Sequence, residues 1–257
     1  MDPSDLDLSK LSVEEKLELM RLLEERVNAS QGNKIKLMYP EHGPLRRELY
    51  PRHMEFFRVG KEYRERCFMA ANRVGKTEGA GGYELALHLT GEYPDWWEGK
   101  RFTHEVDAWA AGKTNETTRD ILQLKLFGRV TFVKGEKTFS GTGLIPRENI
   151  GKIAWKSGVQ DLADTVDVKH LSGFTSKLGL KSYQQGRGSF EGTEKHIILL
   201  DEEPPLDIYS ECLIRTATVG GSIMLTFTPL EGASETVLMF LAPEMLQKFA
   251  EEAKKAE

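Results

Sequence analysis

The most constraining stretch of the chain is Cys67-Phe68-Met69-Ala70, which runs into Ala71-Asn72-Arg73-Val74-Gly75-Lys76-Thr77. A short apolar run of this kind suits a buried strand. Residues 76–89 can continue as a helix, although Gly79, Gly81 and Gly82 each weaken it by about 1 kcal/mol. Those glycines also permit a helix to lie close on a sheet. Strand, tight turn and helix in this order match the phosphate-loop pattern GxxxxGK[ST], with Ala70 where the first glycine normally stands. The chemistry accounts for the residue types. Backbone N–H groups of Ala71, Asn72, Arg73 and Val74 and of the helix start surround phosphates. Gly75 allows close backbone approach, Lys76 reaches the β- and γ-phosphates, and the Thr77 hydroxyl ligates Mg²⁺. An ordinary turn before a helix is the plainer reading, and the strand before it and helix after it argue against that.

A second segment sharpens the first. Lys195-His196-Ile197-Ile198-Leu199-Leu200-Asp201-Glu202-Glu203 carries four apolar residues into three acids. Four consecutive apolar residues suit a central strand buried on both faces, and ligands bind at the C-terminal ends of such strands. Asp201 would hold Mg²⁺ and Glu202 would orient and polarise the attacking water. A solvated acidic turn would explain these acids alone; beside a phosphate loop it does not. Pro204 and Pro205 then end the strand. A glutamate next to the aspartate favours an ATP-driven motor or remodelling enzyme over a small-molecule kinase.

Around these segments the chain alternates. Strands are expected at residues 106–111, 195–200 and 222–228, and helices at 115–127, 206–218 and 234–241. Alternating segments such as 164–171 and 176–183 read as strands and hairpins. The result is an α/β fold, a P-loop NTPase with a doubly wound, mainly parallel sheet and flanking helices. Residues 11–29 read as a helix opened by a capping box of Ser12 and Glu15, its apolar stripe packing on the main domain or on a neighbouring subunit. Residues 28–44 read as a linker. The division is 1–44 for N-terminal helix and linker, 45–240 for the ATPase domain, and 241–257 for a C-terminal helical tail or the start of a linker. No run approaches the roughly 18 apolar residues of a membrane span. The two cysteines, Cys67 and Cys212, show neither metal-ligand spacing nor a disulfide framework and fit a reducing cytoplasm. A net charge of −5 argues against autonomous nucleic-acid binding by charge alone, while leaving room for a local basic patch.

The sequence resembles the large terminase subunit of tailed bacteriophages, most of all that of the short-tailed, headful-packaging phages. The segments GKEYRERCFMAANRVGKTEGAGGYELALHLTGEYP, GKTNET, SYQQGRGSFEG, LLDEEPP and LTFTPLEG carry the likeness and extend over most of the chain. The resemblance implies a P-loop NTPase of the ASCE type that hydrolyses ATP with Mg²⁺ and drives double-stranded DNA into a procapsid. Implied partners are duplex DNA, the small terminase subunit, the portal protein and further copies in a homo-oligomeric, pentameric ring; no membrane is involved. The implied location is the cytoplasm of the infected bacterial host. Thr226 and Thr228 match the family's coupling motif, whose hydroxyls sense the γ-phosphate; two threonines in a strand need no such role. His53 stands where the family tends to carry an adenine-reading glutamine, and a surface histidine is the alternative. Many relatives place an arginine where this chain has Asn72; Arg73 follows it. Arg187, in a glycine-flanked loop, is either a trans arginine finger or a solvated loop arginine. The family's nuclease domain has no room after residue 240, so no nuclease activity is expected of this chain. A helicase-like DNA-remodelling ATPase is the rival reading, since it shares the ATP chemistry.

Overall fold

The computed structural model describes residues 12–30, 33–229, 232 and 234–241. Helix α1 (Val13–Ser30) opens with the expected box. Ser12 N–H donates to Glu15 at 2.8 Å, and Glu15 N–H donates to the Ser12 hydroxyl at 3.2 Å. Its stripe does not pack on the main domain: Leu17 is 61 % and Met20 58 % exposed. The place against the core is filled by the segment read as a linker. There α2 (Lys34–Leu37) buries Ile35, and Tyr39 sits among Tyr50, Phe57, Tyr83 and Trp96. Gly and Pro marked the breaks in this segment correctly, and the aromatic ring between them outweighed its polar composition.

Helix α3 (Pro51–Arg58) leads into β1 (Glu65–Met69). After the phosphate loop comes a π-helical segment, Lys76–Gly82, which passes into α4 (Tyr83–Thr90). The Gly75 carbonyl accepts from both Gly79 (2.7 Å) and Ala80 (3.0 Å), the wide turn of a π-helix. Glycine permits this packing: a Cβ on Gly81 would lie 2.6 Å from Leu199 Cδ1 and 2.9 Å from Thr226 Cγ2. Strand β2 (Asp107–Gly112) is followed by α5 (Asn115–Thr117), a second π-helical segment Thr118–Gln123, and α6 (Leu124–Phe127), stopped at Gly128. A hairpin of β3 (Val130–Val133) and β4 (Glu136–Phe139) stands apart as its own small sheet. Then follow β5 (Ile150–Trp155), β6 (Ala163–Lys169), β7 (Thr175–Ser182), β8 (Ile197–Asp201), α7 (Leu206–Ala217), β9 (Ser222–Phe227) and α8 (Glu235–Met239).

The main sheet runs β1-β9-β8-β2-β7-β6-β5. The first four junctions are parallel and the last two antiparallel. The sheet is therefore mainly parallel, as the alternating pattern implied, with a meander at one edge. Strand β9 lies between the phosphate-loop strand and the acid-bearing strand, which is the ASCE arrangement. Every residue of β8 and β9 is buried. Their side chains alternate: Leu199 and Met224 join the layer of α4, while Ile198, Leu200, Ile223 and Leu225 join Tyr209 and Cys212 of α7. Among the described residues no helix is long and apolar enough to cross a membrane.

One buried ion pair clamps the two arms of the phosphate loop together. Arg66 on β1 donates to Glu84 on α4 through two nitrogens at 2.9 and 2.7 Å, with His88 3.1 Å from the same carboxylate. Arg66 also donates to the Phe56 carbonyl at 2.7 Å. Paired and bonded in this way, the charges tolerate full burial; stranding one of them is costly. Glu84→Ala is expected to lower unfolding free energy by about 3–5 kcal/mol, whereas Glu84→Gln, which keeps hydrogen bonds, is expected to lose less. Urea denaturation of the two variants checks this order.

Candidate functional site

The parallel strands deliver their C-terminal ends to one edge, where an open cleft of ≈ 1220 Å³ lies between the phosphate loop, the end of β8 and the end of β9. The loop itself curls because two residues adopt left-handed backbone: Gly75 at φ 81° and Arg73 at φ 65°. Glycine adopts this freely; arginine does so at a cost. Glu202, at φ 64°, is a second strained side-chain-bearing residue in the same cleft. Its N–H donates to the Thr226 carbonyl at 3.0 Å, so the turn after β8 remains tied to β9.

The residues expected to hold phosphate and metal converge. Lys76 Nζ donates to the Ala71 carbonyl and to Thr228 Oγ1, each at 2.7 Å. The Thr228 oxygen is 2.8 Å from the Ala70 carbonyl and 2.9 Å from Asn72 Oδ1, one of which takes its single proton. Asp201 Oδ1 accepts from the Thr77 hydroxyl at 2.8 Å and from the Thr226 hydroxyl at 2.7 Å. In register, Asp201 and Thr226 are direct neighbours across the β8–β9 pair. Asp201 is only 4 % exposed. Burial pushes its carboxyl up to about 6, with the Glu202 charge adding to the rise and the two hydroxyls and Lys76 opposing it. Burial also lowers the Lys76 ammonium, against the attraction of Asp201. A threonine hydroxyl beside a carboxylate is an all-oxygen donor set that suits a hard cation such as Mg²⁺. Among the described residues no cluster of three or more His, Cys, Asp or Glu stands ready to cage a metal. A cation at Thr77 and Asp201 would complete its shell with water or phosphate oxygens.

The other three expected residues divide. His53 neither lines the cleft nor lies on the surface. It is 6 % exposed beneath the loop, and its Nε2 is 3.4 Å from where a Cβ on Gly75 would stand. Burial lowers its pKa, with the backbone of Gly75 and Val74 opposing. Arg73 does line the cleft. Arg187 lies outside it, 50 % exposed and bonded through Nε (3.1 Å) and Nη2 (2.9 Å) to Glu211 of α7, which also pairs with Arg215 at 3.0 Å.

Sequence reasoning passed over three contributors. The buried Tyr183 hydroxyl lies 2.9 Å from the Asp201 carbonyl and 3.1 Å from that of Glu202, fixing the backbone that carries both acids. Glu78 pairs with Lys125 at 2.9 Å and with Lys34, and this acid and Lys125 line the cleft. Ser234, which caps α8, bonds Glu203. Only Tyr183 had a signal, as one of two aromatics, with Phe190, in an otherwise polar, glycine-broken stretch.

With this geometry in place, comparison with known proteins gives a consistent result. The N-terminal family model of the T4-like type of terminase large subunit matches residues 67–255. The chain belongs to the terminase large subunit family. It is 40% identical over 264 residues to the terminase large subunit of Salmonella phage P22, a match covering 95% of this chain and 50% of that protein. The chain thus spans about half the length of that curated relative. Among solved structures, the large terminase of a thermophilic bacteriophage in complex with ADP aligns at 14% identity and TM-score 0.42, covering 69% of this chain and 37% of that one. The large terminase ATPase domain of Thermus phage P74-26 aligns at 12% identity and TM-score 0.40, covering 68% and 63%. Neither superposition is close enough to argue from.

Asp201 yields a prediction with a defined sign. Its folded-state carboxyl titrates near 6, above the ordinary 3.8. An acid raised on folding stabilises the native state while protonated, and that contribution is lost as pH rises from about 4 through about 6. At about 1.4 kcal/mol per tenfold change in proton affinity the loss is up to about 3 kcal/mol. Asp201→Asn keeps an oxygen for Thr77 and Thr226 but no charge. It is expected to be more stable than the parent at pH 7.5 and to lose that advantage below pH 5, as read by urea denaturation at the two pH values.

Proposed function

We propose that this chain is the ATP-hydrolysing motor domain of a viral genome-packaging terminase, driving double-stranded DNA into a procapsid. The observation that carries the reading is the single carboxylate oxygen of Asp201 held between the phosphate-loop Thr77 and Thr226 of the neighbouring strand, with Glu202 next in sequence. Lys76 neutralises the β- and γ-phosphates of ATP, and backbone N–H groups of residues 71–77 surround them. Thr77 and Asp201 would hold Mg²⁺, which would supply positive charge against the charge developing on the phosphates. Glu202 orients a water; the water oxygen attacks the γ-phosphorus, the bond to the β-phosphate oxygen breaks, and the water proton passes toward the Glu202 carboxylate. Phosphate oxygens compete with Thr228 for the Lys76 ammonium, which couples nucleotide state to the end of β9. Thr226 feels the same event through Asp201.

Arg73, held in strain on the cleft wall, serves its own subunit's phosphates. Arg187 lies outside its own cleft, half exposed and bonded to Glu211, and in a pentameric ring it would be delivered to a neighbour's γ-phosphate. The exposed stripe of α1 offers such a ring a packing surface. The ring would work in the cytoplasm of the infected bacterium, on the portal protein, with the small terminase subunit presenting the duplex. His53, lying under the loop, supports the loop backbone in this scheme.

Portal-dependent uptake of intact duplex into procapsids, driven by ATP, tests the reading; strand separation without uptake would point to a helicase instead. Lys76→Ala is expected to drop ATP hydrolysis to background, and Glu202→Gln to retain nucleotide binding while turnover falls by about 10²-fold or more. Equilibrium binding of a fluorescent ATP analogue beside a phosphate-release assay separates the two effects. For Arg187, activity per chain is expected to rise with concentration, since a finger contributes about 10³-fold or more only across an interface. Mixing Arg187→Ala with Glu202→Gln chains is then expected to restore part of the activity. No recovery under conditions where the parent shows concentration dependence would remove Arg187 from the site.

A further inference from the structure

At the opposite edge of the sheet, where β1 and β9 begin, lies a second cleft of ≈ 360 Å³. The turn before β1 supplies Lys61, Tyr63 and Arg64; the loop after α4 supplies Lys100 and Arg101. Four cations thus share one small cleft on a chain whose net charge is −5, so the cluster is not a by-product of a basic composition.

Three of the four are set in place by neutral groups. Arg64 donates from Nε to the Gly221 carbonyl (2.9 Å) and from Nη2 to the Thr216 carbonyl (3.0 Å), at the C-terminal end of α7. Lys100 Nζ donates to the Gly220 carbonyl at 2.9 Å and lies 3.3 Å from Ser222 Oγ. Arg101 Nη2 reaches the carbonyls of Pro94 and Trp97 at 3.2 and 3.1 Å. Capping α7 accounts for Arg64 in part, and the turn before β9 for Lys100, yet each of these side chains keeps further N–H groups to offer. Among the described residues none of the four forms an ion pair with a carboxylate. Burial lowers the pKa of Lys100, and the charges of Arg64 and Arg66 lower it further. A bound anion would relieve that repulsion.

We propose that this cleft binds phosphate groups, and that their source is the backbone of duplex DNA. Tyr63 is the one large apolar side chain among its described lining residues, the rest being cations, two glycines and Ser222. It has no apolar pocket to anchor an acidic peptide. Lysine and guanidinium donors converging on one concave spot suit phosphate oxygens. The strands separate this cleft from the nucleotide site by roughly 15–20 Å, five or six residues at about 3.3 Å each. The choice of DNA as source rests on the packaging reading; the choice of phosphate does not.

The test is anisotropy of a labelled 20-base-pair duplex with the full chain, without nucleotide, across a salt series. Each phosphate contact contributes about −0.9 to the slope of log K against log salt. The double variant Lys61→Ala, Arg101→Ala is therefore expected to reduce the slope by about 2 and to weaken binding at least about tenfold at low salt. Its basal ATP hydrolysis and melting temperature should stay as in the parent, because neither residue touches the nucleotide cleft. Inorganic phosphate is expected to compete with the duplex. If the parent is stabilised against melting by inorganic phosphate, the double variant is not, and neither binds duplex, the site stands and its source is free phosphate. Equal duplex affinity and slope for parent and variant would overturn the proposal. So would binding of a polyglutamate peptide in place of both duplex and phosphate, or binding of none of the three. A loss of packaging with duplex binding intact would count against the motor reading and leave this site standing.

Discussion

One oxygen atom ties the functional half of the molecule together. Asp201 Oδ1 accepts from Thr77 and from Thr226, so the helix after the phosphate loop, the acid-bearing strand and the strand between them share a single acceptor. The surrounding structure exists to keep that atom charged in a buried place. Three supports are visible: two hydroxyls point at it, the Lys76 charge lies near, and the Tyr183 phenol pins the backbone behind it. The remaining cost shows in the raised carboxyl pKa. A divalent cation would repay it, because a positive charge at the same oxygen favours the ionised form. The site is thus less comfortable alone than with its ligand, which is the usual electrostatics of a nucleotide-binding site.

Much of this was legible in the chain. The order apolar run, turn, GKT and glycine-containing helix located the phosphate loop, and the apolar run ending in Asp201 and Glu202 located the opposing acid. Both are local patterns whose chemistry demands contiguous residues. The strand expected at 222–228 is β9, which brings Thr226 beside Asp201 and leaves Thr228 just past its end. The π-helical turns were not legible: Gly79, Gly81 and Gly82 signalled close packing, but not that the hydrogen bonds would shift by one residue to Gly75. Tyr39 was missed because one aromatic in a polar, broken stretch gives no periodicity, and only the tertiary ring around it explains its burial. His53 entered only through the family resemblance, and no local pattern foretold its burial under the loop. Helix α3 carries the side chain beneath the phosphate loop, beside Gly75 and Gly79.

The two strained residues that carry side chains in the cleft have different neighbours. Glu202 is the acid assigned to the water, and its left-handed backbone is held by a bond to β9. Arg73 is held only by the curl of the loop. Strain of this kind persists where surrounding contacts over-determine it. Glu202 is therefore the more firmly aimed of the two, and Arg73 the more adjustable.

The Arg66–Glu84 pair has a mechanical consequence. It joins the strand entering the phosphate loop to the helix leaving it, so the loop is braced on both sides like an anvil. The other side of the loop is tied by side-chain hydrogen bonds instead: Lys76 to Thr228 just after β9, and Ser234 at the start of α8 to Glu203. On the motor reading proposed above, movement driven by phosphate cleavage would run toward that hydrogen-bonded side rather than toward the ion pair.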